Sequence, residues 1–91
     1  MVIIVKYGLY HEIEKRKMEF AEPGDTVVLI QNGVFWLLNN EVRKFVPESV
    51  KVCALKDDFL ARGYDESDTS EKLISYDEFI EILEKDGKTI G

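Results

Sequence analysis

Three short aliphatic runs constrain this chain more than any other feature: Val2-Ile3-Ile4-Val5, Thr26-Val27-Val28-Leu29-Ile30 and Val50-Lys51-Val52-Cys53-Ala54-Leu55. The first two are nearly continuous in β-branched residues and offer no polar face to water, which suits strands covered on both sides. Between the runs lie segments with apolar residues at helical spacing. Strands alternating with helices build a parallel sheet through right-handed crossovers. The expected fold is therefore α/β, a small three-layer sandwich with a mostly parallel four-stranded sheet and helices on both faces, in one domain spanning residues 1–91.

The local signals place the remaining elements. Glu12 to Phe20 carries Ile13, Met18 and Phe20 among charged residues and stops at Pro23-Gly24-Asp25, which predicts a helix followed by a turn. Val34 to Phe45 presents Val34, Leu37, Leu38, Val42 and Phe45, a second helical pattern. Asn32-Gly33 also suits a two-residue hairpin, but Val34-Phe35-Trp36-Leu37-Leu38 lacks the period-2 alternation a hairpin strand needs. Asp57-Asp58 caps a short helix through Arg62, and Gly63 closes it. A fourth strand, Lys72-Leu73-Ile74-Ser75, leads into a helix from Tyr76 to Lys85 with Phe79, Ile80 and Leu83 on its apolar stripe. The tail Lys88-Thr89-Ile90-Gly91 is expected to fray or to dock through Ile90.

Composition narrows the function. The formal charge of −6 opposes docking on a phosphate backbone, so direct nucleic-acid binding is not expected. No apolar run approaches the roughly 18–20 residues that span a bilayer, and the N-terminal run lacks a basic leader and a cleavage site, so no membrane contact and a cytoplasmic location are expected. One Cys and one His, Cys53 and His11, cannot supply the usual four ligands of a zinc site, and no metal is expected.

In open parallel sheets, ligands bind beyond the carboxyl ends of the strands. That edge holds Gly8, Asn32 and Gly33, the candidate ligand residues. The turn Tyr7-Gly8-Leu9-Tyr10-His11 has neither a dinucleotide fingerprint nor a phosphate loop, so no cofactor is expected. His11, at the start of the first helix, suits a capping or solvated role better than that of a base or a metal ligand. The acidic pairs Asp57-Asp58, Asp65-Glu66 and Glu81-Glu84 read as caps and solvated faces in so acidic a chain. Cys53, mid-strand between Val52 and Ala54, reads as a buried thiol.

Three blocks then resemble one family. Val28-Leu29-Ile30-Gln31-Asn32-Gly33-Val34 is similar to the "LLLQDGV" segment of the DsrH/TusB sulfur-relay proteins. Val50 to Gly63 resembles their "VYAL..DL.ARG" block, and Ile74 to Leu83 their "I.Y.DFV.L" ending. The blocks occur in order across nearly the whole chain. The resemblance implies a DsrE/DsrF/DsrH-like fold and a subunit that passes persulfide sulfur toward tRNA wobble 2-thiouridine or into sulfur oxidation, without turning over a substrate of its own. It also implies a homo-oligomer or a hetero-oligomer with DsrE- and DsrF-like subunits.

This chain departs from the pattern at one point that matters. Where such proteins carry a sulfur-binding cysteine it lies in the first helix, and Glu12 to Glu19 contains none. Cys53 falls where relatives have tyrosine. The implied role is therefore structural, with Tyr7, Tyr10, Phe35 and Trp36 as candidate interface anchors, since Trp and Tyr dominate many interface energies. The alternative is a stand-alone homo-oligomer that carries persulfide on Cys53 or binds a small ligand at the carboxyl edge.

Overall fold

The computed structural model describes residues 1–91. Strands β1 (Val2–Val5), β2 (Thr26–Leu29), β3 (Lys51–Leu55), β4 (Lys72–Ile74) and β5 (Thr89–Ile90) alternate with helices α1 (Glu12–Glu19), α2 (Lys56–Ala61) and α3 (Tyr76–Asp86). A 3₁₀ segment, Gln31–Lys44, links β2 to β3. The sheet is parallel throughout, in the order β4-β3-β2-β1-β5. No helix is long and apolar enough to cross a membrane.

This order dictates the layering. Each step from β1 to β4 moves one strand in the same direction, so right-handed crossovers put α1, the 3₁₀ segment and α2 on one face. The return from β4 to β5 runs the other way and puts α3 on the opposite face. The core divides accordingly. Fifteen buried residues, among them Ile3, Val27, Leu29, Trp36, Val52 and Phe59, fill the first face. Only five, Val2, Val28, Cys53, Ile74 and Phe79, fill the second.

The expected four-stranded sheet has a fifth strand. Thr89 and Ile90 pair in register with Val2 and Ile3, and the Val2 N–H donates to the Lys88 carbonyl at 2.8 Å. The tail therefore closes an edge and does not fray. The helix expected from Val34 to Phe45 is also revised. Leu38 is extended, and Asn39 and Asn40 take φ values of 52° and 55°, which break the segment into two 3₁₀ pieces. Asn tolerates the left-handed region because its short amide side chain bonds locally to the backbone.

The other elements follow their local signals. Ser75 caps α3 by accepting from the Glu78 N–H at 3.1 Å while Glu78 reaches back to the Ser75 N–H, and Gly87 at φ 78° ends the helix. The short helix after β3 begins at Lys56, earlier than expected. Asp57 and Asp58 therefore lie inside its first turn, and its N-cap, Leu55, makes no side-chain bond. Helix α1 forms where expected but turns differently: it buries Glu14 and Met18, one turn apart, and leaves Ile13 and Phe20 in solvent.

Candidate functional site

The carboxyl edge of the sheet, where β1 meets α1, is organised by a carboxylate that the sequence pattern did not reveal. Glu14 is 1% exposed. Its Oε2 accepts the N–H groups of Lys6 at 2.6 Å and Tyr7 at 2.9 Å, and its Oε1 pairs with Lys17 Nζ at 2.5 Å. Burial pushes its pKa up, but the Lys17 ammonium and the Tyr7 and Lys6 N–H groups together outweigh burial and hold the carboxyl below its ordinary value. Glu14 thus clamps the turn after β1 onto α1. His11 extends the clamp, since its Nδ1 caps α1 by accepting from the Glu14 N–H at 3.4 Å and its ring stacks on Tyr7 at 4.7 Å.

The candidate ligand residues at this edge are engaged by the chain itself. A Cβ on Gly33 would fall 2.0 Å from the Val5 carbonyl oxygen, so Gly33 is the only residue type that lets the 3₁₀ segment pass over the end of β1. A Cβ on Gly8 would lie 3.3 Å from the Asn32 carbonyl oxygen. Asn32 Oδ1 accepts from Arg62 Nε at 3.0 Å, and the neighbouring Gln31 N–H donates to Asp58 Oδ2 at 2.6 Å. These bonds tie the ends of β2 and β3 together. A cavity of about 200 Å³ lies nearby, walled by Leu9, Tyr10, Trp36 and Phe45 instead of Gly8, Asn32 or Gly33.

The four candidate interface residues separate. Trp36 is 2% exposed, and its indole Nε1 donates to the Tyr7 carbonyl at 2.9 Å while Phe45 packs edge-on against its ring. It is a core residue of this chain and leaves the contact set, because its one polar atom already has a partner inside. Phe35 is half-buried against Tyr64 and Arg62. Tyr7 is 50% exposed and Tyr10 90%. Tyr10 also holds φ at 71°, an uncommon conformation for a large side chain. Ile13 and Phe20, which sequence reasoning assigned to the helical pattern, join them as exposed apolar side chains on or beside α1. The i to i+4 pairing of Glu14 and Met18 was the available signal, hidden by a charge on the buried face.

Cys53 points to the α3 face between Val28 and Ile74. It is buried, and the thiol contact nearest hydrogen-bond length runs to the Val27 carbonyl at 3.8 Å. Burial pushes its pKa up to about 11; the Lys72 charge only partly opposes that and Glu78 adds to it. A thiol in this setting is a poor nucleophile. No group of three or more His, Cys, Asp or Glu side chains is placed to hold a metal.

Comparison with known proteins agrees with this geometry. Two solution NMR structures of one Thermotoga maritima protein, TM0979, match at 50% sequence identity. One covers all of both chains with a TM-score of 0.74. The other, provisionally described as a sulfur transferase, covers 98% of this chain and 97% of its own with a TM-score of 0.71. No curated protein matches. The model of the family described as "DsrH like protein" matches residues 11–89, and the chain belongs to that family.

Proposed function

We propose that this chain is a non-catalytic subunit of a sulfur-relay assembly, passing sulfane sulfur within a complex whose active thiol belongs to a neighbouring subunit. The observation that carries the reading is the combination of DsrH-like membership over residues 11–89 with an α1 that has no cysteine. The provisional description of the Thermotoga maritima relative supports the sulfur chemistry. The raised pKa and burial of Cys53 support the structural role, since a relay thiol must ionise and meet its donor. Tyr7, Tyr10, Ile13 and Phe20 are the surface on which DsrE- and DsrF-like partners would seat, because exposed apolar side chains around one helix are suited to a protein contact. The pathway served is of the kind that ends in tRNA wobble 2-thiouridine or in sulfur oxidation, and the setting is the cytoplasm.

Native mass spectrometry of the protein captured from its own cell extract, under non-reducing conditions, tests this. The expected result is a mixed assembly in which an added sulfur atom lies on a partner chain. A sulfur adduct on Cys53 would overturn the structural role, and an unmodified homo-oligomer would overturn the relay.

A further inference from the structure

The single helix on the second face leaves part of that face open. Beside α3, the amino ends of β2, β3 and β4 floor a cleft of about 670 Å³. Thr26, Lys51 and Cys53 line it from β2 and β3, Lys72 and Ile74 from β4, and Lys85 from α3. Register explains the grouping: Thr26 pairs with Lys51 and Cys53 with Lys72, so the two lysines stand on adjoining strands, each near the amino end of its own.

The charges around the cleft do not cancel. Arg43 also lines it, but four of its five N–H donors are engaged: Nε and Nη2 hold both oxygens of Glu71 at 2.6 and 2.9 Å, and Nη1 donates to the Pro47 and Val50 carbonyls. Asp86 is held by the Met1 amine at 3.0 Å. Lys51 and Lys85 make no ion pair, and Lys72 has only an exposed contact to Glu78 at 3.6 Å. Of the lining carboxylates, Glu48 alone has no ion-pair partner, against two lining ammonium groups, Lys51 and Lys85, that have none either. In a chain of charge −6 this is a local positive concavity, and a concave wall focuses that field.

We propose that the cleft is a binding site for a small tetrahedral dianion of the phosphate, sulfate and thiosulfate class, held by Lys51, Lys72 and Lys85. Lysines act here as mobile point charges, which suits a compact ion better than a planar carboxylate. Phosphate and sulfate carry no transferable sulfur, so binding of either stands apart from the sulfur-relay reading, whereas a site selective for thiosulfate, whose outer sulfur is transferable, would rest on that reading.

The test is an amide NMR titration of the full chain with inorganic phosphate, sulfate and thiosulfate in turn at low ionic strength, with chloride as the control ion. Saturable shifts at Thr26, Lys51, Cys53 and Lys72 with at least one dianion, absent with chloride, are expected. The double substitution Lys51→Gln/Lys85→Gln should weaken binding at least tenfold, whereas Lys6→Gln/Lys15→Gln, which removes the same charge elsewhere, should not. Shifts that rise linearly with all three dianions, or an equal loss in both double variants, would overturn the site. The unperturbed amide spectrum of each variant reports folding independently of binding.

Discussion

Replacing Glu14 by Gln keeps the shape of the side chain and removes its charge. The native carboxylate accepts two backbone N–H groups and pairs with Lys17. The amide keeps one acceptor oxygen, turns an NH2 toward the remaining donors, and leaves the Lys17 ammonium, itself largely buried, without a partner. Hydrogen bonds to a charged group contribute about 1.5–3 kcal/mol each, and breaking one side of a buried pair costs about 3–5 kcal/mol. Allowing for relaxation of the β1–α1 turn, the variant should lose about 2–4 kcal/mol. For a domain of this size that lowers Tm by about 4–8 °C per kcal/mol. The pH dependence gives a second readout. The folded pKa of Glu14 lies below its unfolded value, so its stabilisation is present above about pH 4.5 and is lost as pH falls through the lower folded value. Urea unfolding followed by circular dichroism from pH 7 to pH 3 should show that loss in the native chain and a shallower slope in the variant. A loss under about 0.5 kcal/mol at pH 7, or parallel slopes, would refute the clamp, because surface substitutions commonly fall in that range.

Gly33→Ala should cost more than about 3 kcal/mol or prevent folding, since its Cβ meets backbone; Gly24→Ala, which meets nothing but carries φ 97°, should cost about 1 kcal/mol, and equal losses in thermal melts would refute the contact. At pH 8 a thiol with a pKa near 11 is ionised in about one molecule in a thousand, against about one in four for a free cysteine, so iodoacetamide should alkylate native Cys53 at least ~100-fold more slowly than the urea-unfolded chain. Rates within tenfold would show an accessible thiol. Trp36 fluorescence should be blue-shifted and shielded from iodide, and Trp36→Phe should lose about 1–2 kcal/mol with the bond to Tyr7. Arg43→Lys should destabilise by about 1–3 kcal/mol in urea, because one ammonium cannot hold both oxygens of Glu71 and two carbonyls at once.

What the sequence made legible was what short-range patterning controls. The four longer strands, α3 with its apolar stripe, and the αL glycine at Gly63 are each specified by residues a few positions apart, whereas the Ser75–Glu78 capping box of α3 is masked in sequence, because Ser75 reads there as the end of the fourth strand. Strand β5 was not legible, because two residues have no period; only the free edge of β1 makes Thr89-Ile90 a strand. The break at Asn39-Asn40 lay inside an apolar pattern that held on either side of it, so periodicity alone joined the two halves. At the site, Gly33 was visible as a special position, but its cause, the Val5 carbonyl, is remote in sequence. Glu14 was invisible for a different reason: a charge on the buried face of α1 breaks the apolar pattern, and its backbone partners are the amides of the preceding turn. Trp36 could not be assigned to core or contact until Tyr7 supplied an acceptor.

The position of β5 beside β1 also sets an order of events in time. From β1 to β4 each strand pairs with the next one in sequence, whereas β5 returns across the whole sheet to pair with β1. Contacts of that sequence separation form late and open early. During synthesis β1 therefore keeps a bare edge until Thr89 and Ile90 emerge, and a bare edge is a template for pairing with another chain. Amides on the β1–β5 side should exchange with solvent long before those shared by β2 and β3. Thr89 and Ile90 thus act as the seal that keeps β1 from finding a partner elsewhere.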